Sequence, residues 1–114
     1  MADFGSSGDL VAKPIVRIPI NTSNAQEVLR TVDEMNGRDF RILSLVLSVS
    51  GAGVVRFTED DKDTGLSWTA KANEDPLVLP RNGDGWAQIS KVREMRLQNP
   101  SEVTIHGEVI GVEW

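Results

Sequence analysis

Between Arg41 and Ser50 the side chains alternate with a period of two. Leu43, Leu45, Leu47 and Val49 fall on one face, and Ile42, Ser44, Val46 and Ser48 on the other. Only an extended strand gives that alternation a physical meaning, because successive Cβ atoms point to opposite sides of a sheet. The second face is only half polar, so the pattern predicts a central strand covered on both sides. Gly51-Ala-Gly53 then reads as a turn, with Val54-Val-Arg-Phe57 as the returning arm of a hairpin.

The same period recurs in short segments. Val16, Ile18 and Ile20 alternate with Arg17 and Pro19, and a proline without an N–H places that strand at an edge. Leu66, Trp68 and Ala70 share a side, Pro76-Leu-Val-Leu-Pro80 is a strand bounded by prolines, and Trp86–Ile89 and Glu94–Gln98 follow, Met95 and Leu97 facing inward. Near the end of the sequence Val103 and Ile105 have one parity, while Ile110, Val112 and Trp114 have the other. Either a bulge at Gly107 or Gly111 flips the register, or both faces are buried. Residues 23–36 support two readings. Ser23 with Gln26 resembles a helix capping box ahead of Ala25, Val28, Leu29 and Val32; the competing reading is a strand over Glu27–Val32.

About eight short strands at turn-marked intervals predict an all-β fold, a single antiparallel β-sandwich of jelly-roll type. At 114 residues the chain supports one domain, assigned to 14–114. Residues 1–13 differ in composition: Gly5, Ser6, Ser7 and Gly8 carry Phe4, Leu10 and Val11 as isolated apolar residues, as expected of an extended N-terminal arm that orders against a neighbour.

Twelve basic residues against 17 acidic ones give a net charge of −5, with the arginines scattered among carboxylates. A nucleic-acid partner would need the opposite balance gathered on one face. No apolar stretch reaches the ~20 residues of a membrane span, and Met1–Asp9 lacks the features of a signal peptide, so synthesis in the cytoplasm is expected. With no cysteine, disulfides and thiolate ligands do not arise.

Chemistry-bearing patterns are sparse. No G-x-S-x-G elbow occurs, and His106, the sole histidine, has no acid–base partner placed by sequence. Glu59, Asp60, Asp61 and Asp63 invite calcium but miss the EF-hand spacing, and read as a solvated loop. The expectation is a binding protein without catalytic residues, metal or cofactor. Among the three tryptophans, Trp86 reads as core, and Trp68 as core or as a sugar-stacking platform. Trp114, the last residue of the sequence, is the strongest single interface candidate, since burying an indole contributes roughly 2–3 kcal/mol.

Arg41-Ile-Leu-Ser-Leu-Val-Leu-Ser-Val-Ser-Gly51, then Val54-Val-Arg-Phe57, Pro76-Leu-Val-Leu-Pro80 and Leu79-Pro80-Arg-Asn82-Gly-Asp-Gly85-Trp86 resemble the small jelly-roll capsid decoration (cement) proteins of tailed bacteriophages. The resemblance covers roughly residues 38–114 and rests on strand-and-turn motifs. It implies a virion protein on the outer capsid surface, a homo-oligomer (dimer or trimer) that binds the major capsid protein and stabilises the shell. It also favours strand over helix at Glu27–Val32. The alternative is a carbohydrate-binding or host-adsorption module of the virion. The candidate contacts are Phe4, Leu10, Val11 and Trp114, with Trp68 as the stacking residue of the alternative.

Overall fold

The computed structural model describes residues 15–114. The proposed arm, with Phe4, Leu10 and Val11, lies outside the described residues. Among the described residues nine strands and one short helix follow in order: β1 Ile15–Thr22, β2 Gln26–Arg30, α1 Val32–Met35, β3 Phe40–Val49, β4 Gly53–Glu59, β5 Lys62–Ala70, β6 Leu77–Leu79, β7 Ala87–Ile89, β8 Met95–Gln98 and β9 Ile105–Glu113.

Two antiparallel sheets face each other. The first runs β1-β9-β3-β6, with β7 also paired to β3; the second runs β2-β8-β4-β5. Strands β6 and β7 share one side of β3, opposite Leu45–Leu47 and Phe40–Ile42 respectively. Counted as one position, they complete an eight-strand path in which first pairs with last, second with seventh, third with sixth and fourth with fifth. That is a long hairpin wrapped into two sheets, the jelly roll expected from the sequence.

Alternation in each strand places the core. Phe40, Ile42, Leu45 and Leu47 of β3 pack with Val55 and Phe57 of β4, Met95 and Leu97 of β8, and Ile105 and Val109 of β9, all buried. Sandwiching both inner faces removes these side chains from water, roughly 1.5–3 kcal/mol apiece. Strand β1 is an edge, as Pro19 requires, with Pro19 opposite Glu108.

Three expectations are corrected and one open reading is settled. β3 and β4 form no hairpin: β9 occupies one side of β3 and β6/β7 the other, so β4 crosses to the second sheet and pairs with β5 and β8. The segment after Glu59 is no open loop, because β4 and β5 close into a hairpin with Glu59 opposite Lys62 and Asp60 left-handed at φ 51°. β9 has no bulge at Gly107 or Gly111: Ile105 and Val109 face the core, while Ile110 and Val112 take the outward parity with Val112 buried there, the second of the two readings, and the bulge lies in β3, where Leu43 is skipped between the pairs Ile42–Gly111 and Ser44–Ile110. Gly107 and Gly111 instead permit close approach, since a Cβ would meet the Val46 carbonyl at one and the Phe40 ring at the other. Finally, the capping box is Thr31 with Glu34: the Glu34 N–H donates to Thr31 Oγ1 at 3.2 Å, and the Thr31 N–H donates to Glu34 Oε1 at 2.8 Å. Residues 26–35 are therefore strand then helix, and the periodicity assigned to one element belonged to two.

A bulge at Leu29 sets the last piece of the frame. The pairs Val28–Arg96 and Arg30–Met95 skip it, which turns Arg30 inward. There the Arg30 guanidinium donates to Glu113 Oε2 at 2.6 Å and to the Glu34 carbonyl at 2.7 Å, and lies 5.1 Å from the Phe40 ring centre. This buried ion pair ties β2 and α1 to β9, across the two sheets.

Candidate interaction surface

The register of the first sheet determines which side chains leave the core together. Ile15, Val112, Arg41 and Gln88 form one outward row; Arg17, Ile110 and Ser44 the next; Pro19, Glu108, Val46 and Val78 the third; Asn21, His106 and Ser48 the last. The bulge adds Leu43, which is buried yet stands apart from the central core cluster. An antiparallel sheet with one solvated face ordinarily shows polar residues there. This one shows an apolar diagonal, Ile15, Val112, Ile110, Leu43, Val46 and Val78, of which Val112 and Leu43 are buried, Ile110 is half-buried and the other three are exposed.

Ile15 is 49% exposed, Val46 46% and Val78 59%. Trp86, at 38%, and Trp114, at 49%, share the outward parity of Gln88 and Val112 at the same end of the sheet. Trp86 is thus not a core residue, contrary to the sequence reading. Its indole N–H donates to the Pro80 carbonyl at 2.8 Å.

The Leu79-Pro80-Arg-Asn82-Gly-Asp-Gly85-Trp86 segment is a clamp on this face. The Asn82 and Trp86 N–H groups donate to the Leu43 and Ile42 carbonyls at 2.9 and 2.7 Å, bridging the gap between β6 and β7. Asn82 Oδ1 accepts from the Asp84 N–H at 3.0 Å. Gly85, at φ 86°, leaves room for the Arg41 side chain, which a Cβ would strike. Arg41 donates to Gln88 Oε1 at 3.2 Å and stacks its guanidinium 3.9 Å from the centre of the Trp114 ring. Such a stack contributes about 0.5–1 kcal/mol where exposed. It holds a wide aromatic plate at a fixed position beside Val112.

The second sheet presents the opposite surface. Gln98 Nε2 donates to Gln26 Oε1 and Thr58 Oγ1 at 3.2 and 3.3 Å. Arg96 donates to Glu94 and Asp61 at 2.6 and 2.8 Å, and the Glu94 hydrogen bond raises its pKa above the ordinary arginine value. A shallow depression of about 360 Å³ lies here between Gln26, Arg56, Asp61, Asp63 and Gln98; no aromatic ring lines it.

The remaining candidates are accounted for by local structure. Trp68 sits on β5, half-buried against the core, its indole N–H 3.4 Å from Glu74 Oε2. His106 is exposed between Asn21 and Ser48. The acidic turn spends its carboxylates internally: Asp60 accepts the Glu94 N–H, Asp61 pairs with Arg96, and Asp63 accepts the Gly65 N–H. Among the described residues no group of three or more His, Cys, Asp or Glu side chains is arranged to hold a metal.

Sequence reasoning singled out Trp114 on this face but not Arg41, Val46 or Val78. The signal was Val46 on the half-polar side of β3, taken as evidence of cover. In comparisons with known proteins, no family profile, no curated protein and no solved structure matches this chain.

Proposed function

We propose that this chain is a capsid decoration protein of a tailed bacteriophage, a non-catalytic homo-oligomer that binds the outer surface of the shell and stabilises it. The observation that carries the reading is the outward side of the first sheet. Its apolar diagonal ends in an Arg41–Trp114 stack, on a jelly roll of the kind the sequence motifs imply. Water-exposed aliphatic and aromatic side chains gathered on one rigid sheet suit a protein partner. The polar, ion-paired outer side of the second sheet suits solvent, and the net charge of −5 keeps a decorated particle soluble.

Each contact with the major capsid protein is weak on its own. An oligomer engaging several shell subunits at once converts later contacts into intramolecular ones. Binding only the assembled shell then raises its stability by mass action.

The test is co-sedimentation of purified protein with capsids assembled without it, followed by thermal disruption of the particles. Saturable binding in fixed ratio to the capsid subunit, with a higher disruption temperature, is expected. Protein that stays in the supernatant at tens of micromolar refutes the proposal.

A further inference from the structure

A strand at the rim of a sheet presents unpaired N–H and C=O groups, and folds ordinarily blunt such edges. Among the described residues three of the rims are blunted. Strands β6 and β7 are three residues long, the β2 ladder is broken at Leu29, and the β4–β5 ladder is broken between the pairs Arg56–Ser67 and Thr58–Asp63. Just past β5, Glu74 closes the chain end, its carboxylate accepting the Lys71 N–H at 2.8 Å. Strand β1 is different. It runs eight residues in unbroken register with β9, and among the described residues no strand pairs with its other side. We infer that this edge pairs antiparallel with the same edge of a second copy, about a two-fold axis at Ile18, joining two first sheets into one. The inference deepens the decoration reading and rests on it only for the expectation of a homo-oligomer.

The ladder shows which backbone groups are free. The Ser50 N–H donates to the Thr104 carbonyl at 2.9 Å, and the Trp114 N–H to the Asp39 carbonyl at 2.7 Å. The N–H and C=O of one residue leave a strand on the same side and alternate along it, so His106, Glu108 and Ile110 also face β3. Ile105, Gly107, Val109 and Gly111 therefore face β1, where they meet Thr22, Ile20, Ile18 and Val16. The backbone groups of Ile15, Arg17, Pro19 and Asn21 are left pointing away from the sheet. The missing donor of Pro19 falls on that free side and takes nothing from the ladder.

Pro19 and Arg17 together select the register. An isologous pairing sets free residues opposite free residues, which puts the axis at a residue. At Pro19 it would oppose two residues without N–H groups, and at Arg17 two like charges. Axes nearer either end overlap less of the strand. At Ile18 the pairs are Ile15 with Asn21 and Arg17 with Pro19, and every bond forms except those the prolines would donate. Arg17, 3.1 Å from its own Glu108, then has Pro19 of the second copy beside it and that copy's Glu108 two strand spacings away, about 10 Å. Opposite charges thus alternate across the seam. On the inner side the added strand carries its Val16, Ile18 and Ile20 over a depression of about 250 Å³ at the mouth between the sheets, lined by Ile18, Ile20, Val28 and Leu29. Val28 is 40% exposed in the single sandwich.

The test uses the full chain, whose lack of cysteine leaves introduced thiols unambiguous. Hydrogen-bonded antiparallel neighbours stand about 5.5 Å apart at Cα, within disulfide range. Ile15→Cys and Asn21→Cys proteins, mixed and oxidised, should give a linked pair of chains on a non-reducing gel. Each alone should stay single-chain, because like positions lie about 20 Å apart along the seam; efficient self-linkage of either overturns the register. In sedimentation at tens of micromolar the unsubstituted protein should be a dimer. Arg17→Pro removes a donor from the free side alone and should weaken dimerisation about tenfold or more, with an unchanged β-type circular dichroism spectrum. Arg17→Glu, which gathers carboxylates at the seam, should also weaken it, most at low salt. An unsubstituted monomer, or folded Arg17 variants that dimerise as the unsubstituted chain does, refutes the pairing. Capsid co-sedimentation is read separately: a dimer that leaves shells unbound sinks the decoration reading and leaves this interface standing, and a shell-binding monomer does the reverse.

Discussion

The outward side of the first sheet carries Ile15, Val46, Val78, Trp86 and Trp114 in the open, whereas that of the second carries Gln26, Arg56, Arg96 and Gln98. Both sheets pack their inner faces into the same core, and that core makes no demand on what points the other way. On the second sheet, side-chain amides and ion pairs satisfy one another, with Val28 the exposed apolar exception. On the first, the Arg17–Glu108 pair is flanked by aliphatic neighbours. Folding alone accounts for the second face. The first calls for a further reason, and the proposed binding role would supply one.

The sharpest way to break this comparison is to remove the support beneath it. Gly111→Ala puts a methyl against the Phe40 ring and the Arg41 carbonyl in the strand that backs the diagonal. A loss of about 3 kcal/mol or more in urea unfolding is expected. Glu113→Gln comes next. It leaves the buried Arg30 guanidinium without its carboxylate and should cost about 3 kcal/mol, while Arg17→Gln at the exposed pair with Glu108 should cost under about 1. Equal costs from the two would undo the contrast between sheet-joining and surface ion pairs.

Thr31→Ala removes the acceptor for the Glu34 N–H and should lower the unfolding free energy by about 1 kcal/mol, with Thr31→Ser restoring most of it. The smallest effects compare the faces directly. Val78→Thr and Arg56→Ala should each change stability by no more than about 0.5 kcal/mol, as surface positions do. Only the Val78 substitution should weaken capsid association. If Arg56→Ala weakens it as much, the second face has been misjudged.

Several of these features could be read before folding. Pro19 implies an edge because a missing N–H is a property of the residue itself, and β1 is one. Met95 and Leu97 alternate inward because the period of a strand is local. Trp86 could not be placed that way. Its exposure depends on Gly85 and Asn82 drawing its segment over β3, a contact between residues some forty positions apart. The Thr31–Glu34 box was legible in principle, but the adjoining strand continued the same apolar spacing, and two elements read as one.

The sequence by itself determined the strand period, the inward sets of most strands and hence a two-layer all-β domain, since each follows from residues within a few positions of one another. Tertiary structure alone decided that β3 takes β9, β6 and β7 instead of β4, that the bulge falls at Leu43 of β3, and that Val46 and Val78 stand side by side in water. Pairing depends on which sheet edge is free when distant segments meet, and that competition leaves no trace in any one of them.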